Sequence, residues 1–375
     1  MAPTSRALTS LTIDLDAIAA NYRRIQSRLT TPCECAAVVK ANAYGLGALE
    51  VAAKLYAVGC RTFFVATVDE GLALRQEFED ATPGQQPQIV VLGGPSIDAV
   101  DALVSGWLTP VLSTPEHVDL WREEASNLGR ALPAVVHVDT GMNRLGFTPE
   151  EWAGSLNEPR RWTGIDVRLL MSHLACADEP SHPKNEGQRR AFDRCRKRLP
   201  ATRASLANSA GVLCGPAFHY DLVRPGIALY GGNPLNSDVN EFSQVIVLES
   251  KIVQIHEIDS PQTVGYGATH TVTGPSRIAT VGVGYADGYP RSLSNAGFAF
   301  LGGVRVPVVG RVSMDLMTLD VSAVPGNVAY PGATIELIGP NAPVDALALT
   351  AGTISYELLT RLGCRYERRY TGSVR

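Results

Sequence analysis

The sequence predicts an α/β protein with an N-terminal (β/α)8 barrel and a mainly β C-terminal domain. Three observations carry this. Eight short apolar runs recur over residues 36–230, most of them separated by amphipathic helical stretches, the rhythm of a parallel barrel of ~250 residues. Beyond about residue 240, β-rich runs with Gly/Pro turns replace that alternation. Several polar, chemistry-bearing residues fall at the C-terminal ends of the barrel runs, where barrel active sites gather.

The chain begins with a short strand, "LTIDLD" (11–16), and then a helix whose Ile18, Tyr22, Ile25 and Leu29 share one face. The barrel runs are 36–41 (AAVVKA), 62–67 (TFFVAT), 88–93 (QIVVLG), 108–113 (LTPVLS), 134–138 (AVVHV), 166–172 (DVRLLMS), 203–208 (RASLAN) and 223–230 (VRPGIALY). Stretches such as "DEGLALRQEF" (69–78) and "EHVDLWREEASNL" (116–128) read as intervening helices, while the last gap is too short to hold much helix. An open doubly wound sheet is the competing architecture, but no G-x-G-x-x-G follows the first run. The domains are therefore expected at 10–240 for the barrel and 241–375, together with residues 1–9, for the β domain. "PVDALALTAGTISYELLTRLG" (343–363) reads as one helical segment near the end.

The chain has 375 residues, a formal net charge of −4 and 19% charged residues, with no long basic run. That argues against nucleic acid as a partner. No apolar stretch has the length of a membrane span or a signal peptide, so no membrane partner and a cytoplasmic location are expected. Seven scattered cysteines are an odd set, expected as free thiols in a reducing compartment. "CEC" at 33–35 lacks a second ligand pair at metal spacing, so no metal is expected.

Lys40 ends an apolar, β-branched run, and lysine is rarely buried without a partner. Shielding by strand neighbours depresses a lysine pKa, because desolvation disfavours the ammonium, and a neutral amine can condense with a carbonyl compound. Arg144 follows the fifth run, His173 closes the sixth, Asn208 and Ser209 close the seventh, and Arg224 lies in the eighth beside Gly226 and Ile227. Each has a bland reading alone: a surface lysine, a core histidine, a loop arginine. Together they form one barrel face. "ANSAG" (207–211) and "RPGIALYG" (224–231) add small residues and backbone amides where this fold commonly binds phosphate. A reactive lysine beside a phosphate cradle suggests pyridoxal 5'-phosphate.

These residues resemble the alanine racemase family. "VVKANAYGLG" resembles its cofactor-lysine motif. "VDTGMNRLG" (138–146), "SHLACAD" (172–178), "ANSAG", "RPGIALYG", "VGYGA" (264–268), "GYADGYPR" (284–291), "VGRVSMDL" (309–316) and "ISYELLTRLG" (354–363) follow in the family's order. The resemblance spans nearly the whole chain. It implies a pyridoxal-phosphate-dependent amino-acid racemase that works as a head-to-tail homodimer. Carried over, Lys40 holds the cofactor and is the base on the D-side of the substrate. Tyr266 of the partner subunit is the opposite base, tuned through His173 and Arg224, and two bases on opposite faces suit racemisation. Tyr44, Ser209, Gly226, Ile227 and Tyr356 match the phosphate ligands, with Asn208 and His173 also among the cofactor-binding residues. Arg144 and Met314 match the binders of the substrate carboxylate. Tyr285 and Tyr356 resemble the aromatics that narrow the substrate channel, and Arg291 and Arg311 its charged lining. Asp178 and Asp315 fit their motifs in structural roles.

Three positions depart from the family pattern: Leu46 stands for the usual histidine, His137 for a lysine that is often carbamylated, and Gly265 for a common serine. His137 lacks the negative charge of a carbamate, so Arg144 is expected either to need an anion such as chloride or to sit differently. Alanine is the leading substrate. Serine or an O-substituted serine such as O-ureidoserine, as in D-cycloserine-type antibiotic biosynthesis, is the alternative. A decarboxylase on the same barrel and a non-catalytic cofactor carrier are further rivals.

Overall fold

The computed structural model describes residues 7–30, 32–79, 85–199, 201–237 and 239–372. Of the segment expected in the C-terminal domain, residues 1–6 and 373–375 lie outside that description. The chain divides into two compact units: residues 18–43 and 47–242 form one, and residues 7–17, 44–46 and 243–372 the other.

The first is the barrel unit. Parallel strands Ala37–Val38, Thr62–Val65, Gln88–Val91, Thr109–Leu112, Leu132–His137, Ile165–Met171 and Arg203–Ser205 pair in chain order. Leu222–Val223 pairs with Glu34–Cys35, and a parallel bridge joins Asn208 to Arg224, which closes the ring. Strands 62–65 and 109–112 are buried at every position, as expected where both sheet faces are covered, and this is why the runs read as continuously apolar. Side-chain caps start the helices. Thr67 Oγ1 accepts from Glu70 N–H, Thr148 and Glu151 form a capping box, and prolines 115, 149 and 183 occupy first turns.

Three barrel runs end at least three residues earlier than the sequence suggests, the first of them at Val38, just before the turn that Lys40 opens. The seventh strand stops at Ser205 and the eighth at Val223, beyond which the Asn208–Arg224 bridge and a hydrogen bond from Arg224 N–H to Ala207 O at 2.9 Å continue the contact. Ile227–Tyr230, read as strand from its apolar character, is a single 3-10 turn that ends at left-handed Gly231 (φ 79°).

The second is the β unit. Its longest strand, Ile246–Ile258, pairs with Thr9–Asp14, Ser276–Val281 and Thr334–Ile338. Thr9–Asp14 also pairs in parallel with Glu367–Thr371, Ile13 opposite Tyr370. The first strand, which the boundary at residue 10 assigns to the barrel, is thus a member of this sheet, because its hydrogen-bond partners lie more than two hundred residues away. Leu11, Ile13, Leu248, Val281, Leu319, Ile335 and Leu337 are fully buried in its core. A short hairpin, Gln262–Val264 with His270–Val272, stands on a smaller cluster of Val264, Val272, Ile278 and Val309. The single helix expected over 343–363 is two, Val344–Thr350 and Ser355–Arg361, broken at left-handed Gly352 (φ 71°).

Among the described residues, no helix is long and apolar enough to cross a membrane, and no group of three or more His, Cys, Asp or Glu side chains is placed to hold a metal ion.

Candidate active site

Lys40 opens a turn over Lys40–Gly45 that is a left-handed helix: Ala41, Asn42, Ala43 and Tyr44 have φ between 52° and 55°, and Gly45 has φ 84°. L-residues adopt this conformation at a cost of roughly 1–2 kcal/mol each, and then singly rather than in runs. Such strain persists only where the surroundings over-determine it. Here Ala43 N–H donates to Val39 O at 2.8 Å, and Glu70 Oε1 accepts from Ala41 N–H at 2.7 Å. The other Glu70 oxygen accepts from Ala66 N–H, also at 2.7 Å, and Asn42 Oδ1 accepts from Ala48 N–H at 2.8 Å. Glu70 and the turn itself were not legible in the sequence. The nearest signals were Asn42 and Gly45, the two residue types of "KANAYG" that tolerate φ above zero.

The barrel unit brings Lys40, Arg144, His173 and Arg224 within electrostatic reach of one another, with His137 among them. Lys40 is half-buried, and its pKa is lowered first by burial and then by Arg144, with Glu70 pulling the other way. His137, 8% exposed, is pushed down to about 4 by burial and by Arg224. Burial, then Arg224, Arg144, His137 and Lys40, hold His173 well below the usual imidazole range. Both histidines are therefore neutral at neutral pH, held so first by burial and then by neighbouring cations. Arg224 is 4% exposed and donates to Ser205 Oγ, to Ser172 O at 2.6 Å and to Leu206 O at 3.4 Å. Those acceptors are uncharged, so burial lowers its pKa to about 9 while it still keeps its proton at neutral pH.

Arg144 is exposed on a loop built by Asp139. Asp139 Oδ1 accepts from Gly141 and Met142 N–H at 2.8 and 2.9 Å, and Oδ2 from Asn143 N–H at 2.8 Å. Gln188, 2% exposed, donates to His173 O and accepts from Ala175 N–H, both at 2.9 Å, and so fixes the loop after the sixth strand. Neither residue had a sequence signal, since their roles depend on backbone groups that come near only on folding.

At the last two strands, Ser209 Oγ accepts from Gly226 N–H at 2.9 Å and Ala228 N–H at 3.3 Å, which joins "ANSAG" to "RPGIALYG". The Ser209 hydroxyl proton can still be donated. Asn208 uses its Oδ1 to cap the next helical turn, accepting from Gly211 N–H at 2.8 Å. Ile227 begins the 3-10 turn, where early N–H groups have no intrahelical acceptor. A half-buried amine of lowered pKa, a buried guanidinium whose acceptors are uncharged, and the Ser209 hydroxyl beside the start of the 3-10 turn suit an anionic, phosphate-bearing carbonyl compound.

The β unit carries the other candidates. The Tyr44 and Tyr356 rings lie 5.9 Å apart, tilted by 44°. Gly45 is obligatory there, since a Cβ would collide with Leu359 O. Tyr266 is 73% exposed, Tyr285 43% and Met314 54%. The last two are linked: Tyr285 N–H donates to Ser313 O and Ala286 N–H to Met314 O, each at 3.0 Å, while a Cβ on Gly284 would strike the Met314 carbonyl. Arg365 bridges Asp287 at 3.1 Å and Asp315 at 2.8 Å beneath them. Of the family departures, Leu46 is fully buried, its carbonyl accepting from Tyr370 OH at 3.1 Å, and a Cβ on Gly265 would meet Arg311 N at an ordinary 3.4 Å.

Comparison with known proteins agrees with this geometry. Residues 13–234 match the model of the alanine racemase N-terminal domain and residues 245–370 that of the alanine racemase C-terminal domain. The chain is 53% identical to the alanine racemase of Rhodospirillum rubrum over 372 residues, covering 99% of this chain and 98% of that protein. It is 46% identical to a catabolic alanine racemase of Mesorhizobium japonicum, covering 99% and 96%. Among solved structures, alanine racemase from Bartonella henselae with covalently bound pyridoxal phosphate superposes with a TM-score of 0.92 at 38% identity, covering 97% of this chain and all of that one. Biosynthetic alanine racemase from Pseudomonas aeruginosa gives 0.87 at 36%, covering 98% and 100%. The chain belongs to the alanine racemase family.

Proposed function

We propose that the chain interconverts L- and D-alanine with pyridoxal 5'-phosphate, using Lys40 and Tyr266 of the partner subunit as the two bases. The observation that carries this reading is the half-buried Lys40 amine, its pKa lowered first by burial and then by the Arg144 guanidinium. When bound, the cofactor supplies an electron sink for the α-carbon.

Lys40 would carry the cofactor and exchange a proton with the D-face of Cα. The phosphate would be held by Ser209, Ile227, Gly226, Tyr44 and Tyr356, with Asn208 shaping the loop. Arg224, still cationic, would face the ring nitrogen and keep it unprotonated, while neutral His173 relays its influence to the partner's phenol. Arg144 would hold the substrate carboxylate together with the Met314 N–H of the partner subunit. Among the described residues that N–H has no acceptor within its own chain. Tyr285 would narrow the way in. Homodimerisation and a cytoplasmic location complete the proposal, and the exposure of Tyr266, Tyr285 and Met314 supports shared sites.

The test is a chiral assay of the purified, cofactor-loaded protein against L-alanine, L-serine and O-ureidoserine. Alanine is expected to turn over fastest, without release of CO2. Lys40→Ala is expected to abolish both the visible absorbance of the bound cofactor and racemisation. Retained racemisation in that variant would overturn the assignment.

A further inference from the structure

We propose that Asn295 is a positioning residue for Tyr266, tying together the two ends of the turn that presents the phenol. This rests on the reading of Tyr266 as the L-side base.

The turn is strained and thinly packed. Gly265, Gly267 and Ala268 have φ of 73°, 72° and 50°, and the alanine in particular is held where L-residues rarely go. Apolar support stops at Val264 and Val272, at the foot of the hairpin, and within the turn Ala268 N–H reaches Gly265 O only at 3.3 Å. Something beyond the turn must over-determine it.

Asn295 meets both of its ends. Its Oδ1 accepts from Gly310 N–H at 2.6 Å, and its own N–H donates to Gly310 O at 3.2 Å. Gly310 lies against the strand that enters the turn, so close that a Cβ there would sit 2.9 Å from Val264 O. On the exit side, Asn295 Nδ2 donates to Thr269 Oγ1 at 3.1 Å and approaches Thr269 O at 3.5 Å. The neighbouring Val309 is fastened to the sheet, donating to Thr318 O at 2.9 Å and accepting from Thr318 Oγ1 at 2.5 Å. A continuous path thus runs from the sheet through Val309 and Gly310 to Asn295, and on to Thr269 at the end of the turn that carries Tyr266. Asn295 itself has φ 56°, a conformation that asparagine adopts more readily than most residues. Sub-ångström placement matters, because a shift of about 1 Å in a catalytic group can cost ~100-fold in rate.

Substitutions separate the side-chain tie from the backbone conformation. Asn295→Gly keeps the left-handed backbone and removes the tie. Asn295→Asp keeps an acceptor for Gly310 N–H and for the Thr269 hydroxyl. The readout is the initial loss of the α-proton in D2O, followed by NMR on the cofactor-loaded protein, from L-alanine and from D-alanine separately. For a racemase kcat/KM is equal in the two directions, so only such half-reactions distinguish the sides. Amide hydrogen exchange of segment 262–272 is measured alongside.

Asn295→Gly is expected to slow α-proton loss from L-alanine at least 10-fold, to leave the D-side within twofold, and to speed amide exchange in 262–272. Asn295→Asp is expected to stay within threefold of the parent on both sides. An unchanged L-side, or equal slowing of both sides, in Asn295→Gly overturns the proposal. Tyr266→Phe is measured in parallel. L-selective loss there, without it in Asn295→Gly, overturns the positioning role alone. No L-selective loss in Tyr266→Phe overturns the base assignment, and the proposal falls with it.

Discussion

Glu70 is the most exacting test of how the left-handed turn is maintained. The turn holds four non-glycine residues at φ of 52–55°, a strain of about 4–8 kcal/mol at 1–2 kcal/mol each. Glu70 opposes it through its carboxylate, which accepts from Ala41 N–H in the turn and from Ala66 N–H, an anchor outside it, each at 2.7 Å. Charge-assisted bonds contribute about 1.5–3 kcal/mol when buried. Glu70 is half-buried and Ala41 exposed, so about 1 kcal/mol each is the appropriate figure after discounting for solvent. Glu70→Ala is therefore expected to destabilise the barrel unit by about 2 kcal/mol. For a domain of about 200 residues this lowers the melting midpoint by about 4–8 °C. If the whole loss falls on the conformer that accepts the cofactor, apparent affinity for pyridoxal phosphate drops by up to about 30-fold. The assays are a thermal melt followed by circular dichroism and a fluorescence titration with the cofactor. A midpoint within 1 °C of the parent and an affinity within twofold would show that the turn is held without Glu70.

Three further outcomes follow from the geometry. Gly45→Ala forces a Cβ onto Leu359 O at φ 84°, and a loss of more than about 2 kcal/mol is expected, read as little soluble protein or a strongly lowered urea midpoint. His137 is neutral in the fold with its pKa lowered from 6.5 to about 4. Its contribution is fully present above pH ~6.5 and is lost as the pH falls towards 4, because there the unfolded chain binds a proton that the fold refuses. The loss, roughly 3 kcal/mol at 1.36 kcal/mol per unit, should be absent from urea unfolding of His137→Asn over the same pH window. Arg365→Ala strips the cation from Asp287, whose side chain is 5% exposed, and loosens the backbone that carries Met314. The KM for alanine is expected to rise several-fold with a smaller change in kcat, and an unchanged KM would show that Met314 is held without this bridge.

Much of the barrel was legible in the chain. Parallel strands buried on both faces need unbroken apolar runs, and the helices between them show their period. Lys40 stood out because an amine at the end of such a run is unusual. The strand limits near Ser205 and Val223 were less legible, since apolar residues such as Leu206 and Ile227 continue the pattern after the ladder has ended.

What the sequence determined by itself was local: periodicity, turn glycines, and the identity and order of the residues that can do chemistry. What only the tertiary structure decided depends on groups far apart in the chain. The first strand joined the C-terminal sheet because its partners are Ile246–Ile258 and Glu367–Thr371, and no local pattern records a pairing partner. The left-handed turn after Lys40 is tied at the Ala41 amide by Glu70, which comes from the helix after the second barrel strand, and no local pattern in the turn's own residues records that tie. The neutrality of His137 and His173 likewise belongs to no residue singly. It arises from burial beside Arg144 and Arg224, charges that reach them only when strands five, six and eight stand in one barrel.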